Sequence, residues 1–127
     1  MRILRVSNAS RGALLANRAA IADSSATRRT GLLKHGVLAD GEGLWIVPTE
    51  GVHTIGMKFP IDIVFLSRSR TVLKTRSCVP AWRFALCLRA HSVLELPAGT
   101  IEKTGTAVGD QLLLATLDAT EPSPMSR

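Results

Sequence analysis

The chain lacks tyrosine altogether, and aromatic side chains make up only 4% of its 127 residues. Its core must therefore come mainly from Leu, Val, Ile and Ala, which a chain of this length can bury in one domain. No apolar run reaches the roughly 18 residues that a membrane-spanning helix needs. Because no continuous apolar segment follows the charged N-terminus, the sequence predicts a cytoplasmic protein without a secretory signal.

Cysteine is also scarce. Cys78 and Cys87 stand nine residues apart and form neither a C-x-x-C motif nor a disulfide framework. The three histidines, His35, His53 and His91, are too widely separated to complete a four-ligand zinc site with them. The sequence therefore predicts free thiols in a reducing compartment, with no metal and no organic cofactor.

Basic residues outnumber acidic ones, 16 to 10, for a formal net charge of +6. Such an excess alone suggests a polyanion or an anionic membrane surface as partner. However, the basic residues are scattered along the chain without a run of five, and few aromatic residues are present to stack on bases. Nucleic acid is therefore the least favoured of the partners considered.

Hydrophobic alternation between turn residues predicts six or seven short strands, with candidates at 3–6, 13–16, 44–47, 61–66, 71–75, 93–96 and 111–115. Capping side chains and glycines predict two short helices, at 26–30 and 98–104. Because helices do not alternate with strands, the expected fold is α+β and mostly antiparallel β, a small barrel- or sandwich-like domain with two short helices. We expect this domain to span residues 1–117 and to leave 118–127 as a disordered tail.

The candidate site lies where a loop enters a hydrophobic strand at 53–66. Asp62 begins that strand beside Val64 and Leu66 on one face, and a buried carboxylate must find a partner. Asp62 could be structural, accepting hydrogen bonds from loop N–H groups or pairing with Lys58 or an arginine, or it could act as a general base or anchor a ligand. His53 could be a satisfied loop residue or could contact a ligand.

Two further features remain open at this point. Trp82-Arg83 follows Pro80 and could form a stacking wall for a ligand, although loop packing is the commoner role of such a pair. Glu95 could face either the interior or the solvent. The full set of candidate ligand- or partner-site residues is His53, Thr54, Lys58, Asp62, Trp82 and Arg83.

Five sequence blocks follow one another between residues 14 and 115: RRTGLL at 28–33, GLWIVP at 43–48, HTIGMKFPIDIVFL at 53–66, VLELPAG at 93–99 and GD at 109–110. Together they resemble the family called domain of unknown function 192. The resemblance implies a compact β-rich domain among small bacterial and archaeal proteins, and it implies no established activity. Relatives often carry a cysteine directly after the proline matched by Pro48, whereas this chain has Thr49.

Three functional hypotheses follow. The leading one is a small binding or accessory module whose ligand or protein partner contacts the His53–Asp62 loop and the Trp82-Arg83 loop. The second is a hydrolase- or lyase-like enzyme in which His53 and Asp62 form an acid–base pair, which requires their side chains to converge within about 3 Å. The third is a basic nucleic-acid-associated protein, which requires a contiguous Arg/Lys face. The sequence does not specify the ligand or the oligomeric state.

Overall fold

The structure is a computed structural model that describes residues 2–24 and 38–117. These residues form nine strands and one helix. In chain order they are β1 (Ile3–Asn8), β2 (Ala13–Ala22), β3 (Glu42–Ile46), β4 (Gly51–His53), β5 (Ile61–Leu66), β6 (Val72–Val79), β7 (Phe84–Leu86), β8 (Ser92–Pro97), α1 (Thr100–Thr104) and β9 (Leu112–Leu117).

Seven of the strands form one sheet in the order β6-β5-β8-β3-β2-β1-β9. All neighbours are antiparallel except β2 and β3, which run parallel. The two edge strands approach each other only at one end, where Thr71 and Gln111 form an isolated bridge. A closed barrel requires continuous pairing around the ring, so this sheet is not a closed barrel. The predicted mostly antiparallel β class is confirmed.

Both faces of the sheet centre are buried. Every residue of β5 and β8 is buried, which explains why both strands appear in the sequence as continuous apolar runs. Val64 and Leu66 of β5 belong to one cluster, core A, together with Leu94 and Ile101. The alternate β5 residues belong to the cluster on the opposite face, core B, which includes Ile61, Ile63, Phe65, Leu44 and Val93.

A second sheet of only two strands, β4 and β7, adjoins core B. Val52 packs against this core and Ala85 is part of it, so one face of the small sheet is anchored. The sequence analysis missed both strands. Three residues are too few to show a period, and the run at 84–88 is apolar on both sides of the strand.

Of the two predicted helices, only the second falls within the described residues. It begins at Thr100 and ends at Thr104, two residues later than predicted at its start, because Gly99 and Gly105 flank it with φ of 98° and 71°. The prediction of two helices is therefore not confirmed. The predicted helix at 26–30 and the predicted tail at 118–127 lie outside the described residues.

Cys78 is exposed and Cys87 is half-buried, and neither cysteine forms a disulfide bond. Among residues 2–24 and 38–117, no group of three or more His, Cys, Asp or Glu side chains is arranged to hold a metal ion. In the same ranges, no helix is long and apolar enough to cross a membrane.

Candidate partner-binding face

Asp62 is fully buried and both of its oxygens are engaged. Oδ1 accepts the N–H of Cys78 and Oδ2 accepts the N–H of Ile101 at the start of α1, each at 2.8 Å. Cys78 lies at a bulge of β6 and has a φ of 51°, a left-handed conformation that costs energy for a residue with a side chain. The carboxylate therefore joins the bulge and the helix to β5.

His53 and Asp62 do not form an acid–base pair in this structure. His53 is exposed at the end of β4, where its Nδ1 accepts the N–H of Ile55 at 3.3 Å. Its ring lies 6.3 Å from that of Phe84, with the planes tilted by 57°. In the described part of the chain, no hydrogen bond joins His53 to Asp62, so the geometry on which the enzyme hypothesis depends is not present.

Thr54 joins the two loops that the sequence analysis singled out. Its buried hydroxyl donates to the C=O of Pro80 at 2.6 Å and accepts the N–H of Arg83 at 2.8 Å. Its backbone N–H donates to the C=O of Arg83, and its C=O accepts the N–H of Trp82. The side chain and the backbone of Thr54 thus hold the loop after β4 against the loop before β7.

We expect Thr54→Val to lower the free energy of unfolding by about 1–2 kcal/mol, because the isosteric side chain leaves the Arg83 N–H and the Pro80 C=O without their partner. A denaturant melt measures the change. Thr116→Val, which alters an exposed threonine of β9 in the same way, is the matched control. Equal midpoints for the two variants would show that the Thr54 hydroxyl does not hold the loops together.

Trp82, Arg83 and Lys58 are exposed around this junction. Trp82 has a φ of 65°, which is rare and costly for a bulky residue. The backbone N–H of Trp82 donates to the C=O of Thr54, while 67% of the residue remains exposed. The structure therefore holds a large aromatic side chain in solvent through a strained backbone. Within residues 2–24 and 38–117, the side chain of Arg83 makes only long contacts, of 3.4–3.5 Å, to the carbonyl oxygens of its two preceding residues.

Four large apolar side chains are exposed at every second position from 82 to 88. Trp82, Phe84, Leu86 and Leu88 are 67%, 71%, 55% and 70% exposed. We call this set the apolar face. Phe84 and Leu86 share the outward side of the small sheet with their cross-strand partners His53 and Gly51.

The backbone of β7 is also exposed along one edge. The C=O of Arg83 accepts the N–H of Thr54, and the N–H of Cys87 donates to the C=O of Glu50, just beyond either end of β4. Because the direction of these groups alternates along a strand, the N–H and C=O groups of Phe84 and Leu86 point away from β4. Lys74 Nζ donates to the C=O of Leu86 at 2.9 Å from the neighbouring strand β6. A lysine thus covers part of the edge that would otherwise pair with another strand.

Glu95 faces inward, which settles the alternative that the sequence left open. It is 3% exposed and lies between its cross-strand neighbours Leu44 and Ile63 on the core B side of the sheet. Burial raises the pKa of Glu95 from 4.5 to about 8. No hydrogen bond or ion pair from the described residues reaches its side chain, so the carboxyl group is mostly protonated at neutral pH.

The position that carries Thr49 in place of a cysteine lies at a separate cavity of about 370 Å³, lined by Pro48, Thr49, Glu50, Arg68, Ala90 and His91. Thr49 Oγ1 donates to the C=O of Gly51 at 2.8 Å, which shapes the turn into β4. Desolvation, and then the charges of Arg68 and Arg70, lower the pKa of His91. The hydroxyl of Thr49 therefore has a structural role, and this position carries no thiol.

Residues 6–114, most of the chain, match domain of unknown function 192, a family described as uncharacterized ACR. The chain belongs to the DUF192 family. A search of curated proteins found no match. Two solved structures are similar to this DUF192 domain, each at 22% identity.

The first is a protein of unknown function from Novosphingobium aromaticivorans, with a TM-score of 0.75, covering 87% of this chain and 83% of that one. The second is from Sinorhizobium meliloti and is described as a "putative transcription regulator", with a TM-score of 0.77 and coverage of 89% and 92%. At this identity both likenesses establish the fold of the DUF192 domain and nothing about its activity.

The structure shows four residues of interest that the candidate set did not include, Phe84, Leu86, Leu88 and Glu95. The signal for the first three was the apolar residue at every second position from Trp82 onward, which the apolar Ala85 and Cys87 between them obscure. For Glu95 the signal was a lone carboxylate within an apolar run, the same feature that singled out Asp62 in this DUF192 chain.

Proposed function

We propose that this DUF192 chain is a binding module that docks on a macromolecular surface through its apolar face. The observation that carries the proposal is the exposure of four large apolar side chains on one short segment whose inner side is anchored to core B. Folded domains seldom expose several such side chains together unless they are covered by a partner. The backbone strain at Trp82 supports the proposal, because it keeps an aromatic side chain in solvent at a cost to stability.

A small-molecule site is less well supported. The cavity beside the apolar face has a volume of about 300 Å³ and is lined by Gly51, Val52, His53, Phe84, Ala85 and Leu86. This volume is at the lower limit for ligand pockets, and His53 is the only lining side chain that can form a hydrogen bond. An acid–base enzyme is also poorly supported, since both oxygens of Asp62 already accept backbone N–H groups.

Site-specific photo-cross-linking tests this proposal even though the partner is unidentified. A benzophenone-bearing phenylalanine analogue replaces Phe84 in one variant and Leu113 in the control, since Leu113 is a similarly exposed apolar residue on β9. After irradiation in the cells that make the chain, we expect an adduct with a protein or with a lipid at position 84 and none at position 113. Identical adduct patterns at both positions, or adducts at neither, would contradict the proposal.

A further inference from the structure

The net positive charge of this chain comes from one segment. Residues 51–94 contain seven of the 16 basic residues and one of the ten acidic residues, an excess of six that equals the net charge of the whole chain. The only acidic residue in this segment, Asp62, is fully buried. The remainder of the chain contains nine residues of each sign, so the excess of positive charge lies in this segment, largely because acidic residues are scarce there.

One of these cations contacts the apolar face, and three more are near it in the sheet or in the sequence. Lys74 Nζ contacts the backbone of Leu86, and Arg76 projects from the same face of β6 two residues further on. Two more follow in the sequence of the face itself, Arg83 after Trp82 and Arg89 after Leu88. Arg76, Arg83 and Arg89 are all exposed. We call Lys74, Arg76, Arg83 and Arg89 the basic rim of the apolar face.

From this juxtaposition we infer that the apolar face binds the surface of an anionic phospholipid bilayer. The inference rests on the proposed function and specifies its partner. Exposed Trp, Phe and Leu side chains enter the boundary between headgroups and acyl chains, while Lys and Arg side chains contact anionic headgroups. This chain offers both kinds of group on one short segment.

Other partners fit the same observations less well. Nucleic acid uses aromatic platforms for stacking, whereas half of the apolar face is leucine. An added peptide strand needs free backbone groups, yet β7 has three residues and Lys74 already occupies the C=O of Leu86. A second copy would bring two basic rims together, which like-charge repulsion disfavours.

Binding to vesicles tests the inference directly. The full chain is mixed with phosphatidylcholine vesicles, either pure or containing about one-third phosphatidylglycerol, and sedimented at low and at high salt. We expect binding at least about tenfold stronger to the anionic vesicles, and weaker at high salt. The emission of Trp82, which is exposed, should shift to shorter wavelength on binding, while Trp45 is already buried.

The double variant Phe84→Ser/Leu86→Ser should lower vesicle affinity by at least about tenfold, because the apolar side chains whose transfer from water into the bilayer is favourable have been removed. The matched control is Val108→Ser/Leu113→Ser, which changes two similarly exposed apolar residues elsewhere and should bind as the unmodified chain does. Circular dichroism and thermal melts of both variants establish that they are folded. Equal loss of binding in the two variants would overturn the inference.

The outcomes also separate this inference from the proposed function. No preference for anionic vesicles, together with a protein adduct at position 84, would overturn the lipid partner and leave the binding module standing. Binding to a mixed-sequence DNA duplex without binding to vesicles would likewise overturn the lipid partner. No vesicle binding and no adduct at position 84 would contradict both.

Discussion

Replacing Asp62 by Asn is expected to lower the free energy of unfolding by about 1–3 kcal/mol, and replacing it by Ala is expected to lower it further. The side-chain amide of the Asn variant can accept only one of the two N–H groups, from Cys78 and Ile101, that the carboxylate now satisfies. Its NH₂ group would face the other donor. Alanine leaves both donors unpaired inside the fold, and an unsatisfied buried donor costs more than a made hydrogen bond gains.

Urea or guanidinium melts measure this change, and Asp40→Asn serves as the control because Asp40 is exposed and its replacement should shift the free energy by no more than about 0.5 kcal/mol. Hydrogen exchange gives a local measurement. The amides of Cys78 in β6 and Ile101 in α1 should exchange faster in the Asn variant, while the amides of β5 stay protected. An Asp62→Asn variant with an unchanged midpoint would refute the structural role of Asp62. The acid–base hypothesis would then be favoured, and His53→Ala would be the next variant to assay.

Glu95 should make the protein less stable as the pH rises from about 4.5 to about 8. Below pH 4.5 the carboxyl group is protonated in both states and has no effect on the pH dependence. Between its ordinary pKa of 4.5 and its folded-state pKa of about 8, the unfolded chain releases this proton while the folded chain keeps it. The folded state therefore loses stability across this interval and the loss levels off above it, at no more than about 5 kcal/mol.

Glu95→Gln should abolish this dependence, because the amide is neutral at every pH in the interval and nearly the same size. The variant should gain stability relative to the unmodified chain as the pH is raised from 5 to 9, measured by denaturant melts at several pH values. Glu102→Gln removes an exposed carboxylate of α1 and should leave the pH profile of the unmodified chain in place. Parallel profiles for the unmodified chain and Glu95→Gln would show that Glu95 ionises in the folded state as readily as in the unfolded state.

Much of the fold could be predicted from local sequence because its signals are strong and local. The apolar run at 61–66 predicted the full extent of β5, and the alternation of Asp62 with Val64 and Leu66 predicted which residues share a face. Gly105 predicted the end of α1. β2 and β6 extend well beyond their predicted bounds, since cross-strand partners can support residues that have weak strand patterns of their own.

The candidate site was predicted only in part, because proximity between loops is not a local property. The sequence identified the loop after His53 and the loop at Trp82, but the hydrogen bonds of Thr54 bring them together. It identified His53 and Asp62 as a possible pair, whereas Asp62 is buried in β5 and His53 is exposed at the end of β4. The direction of Glu95 depended on strand register, which an apolar run on both sides of the residue left undecided.

The sequence by itself determined the family, the mostly β class and the charge of the chain, because composition, apolar periodicity and motif order are properties of the linear chain. Only the tertiary structure decided that the sheet stays open, that Asp62 serves two backbone N–H groups, and that the apolar residues from Trp82 to Leu88 face solvent. These features depend on which distant segments meet. Ile101 lies 39 residues from the carboxylate that receives its N–H, and core B takes Ala85 while leaving Phe84 and Leu86 outside.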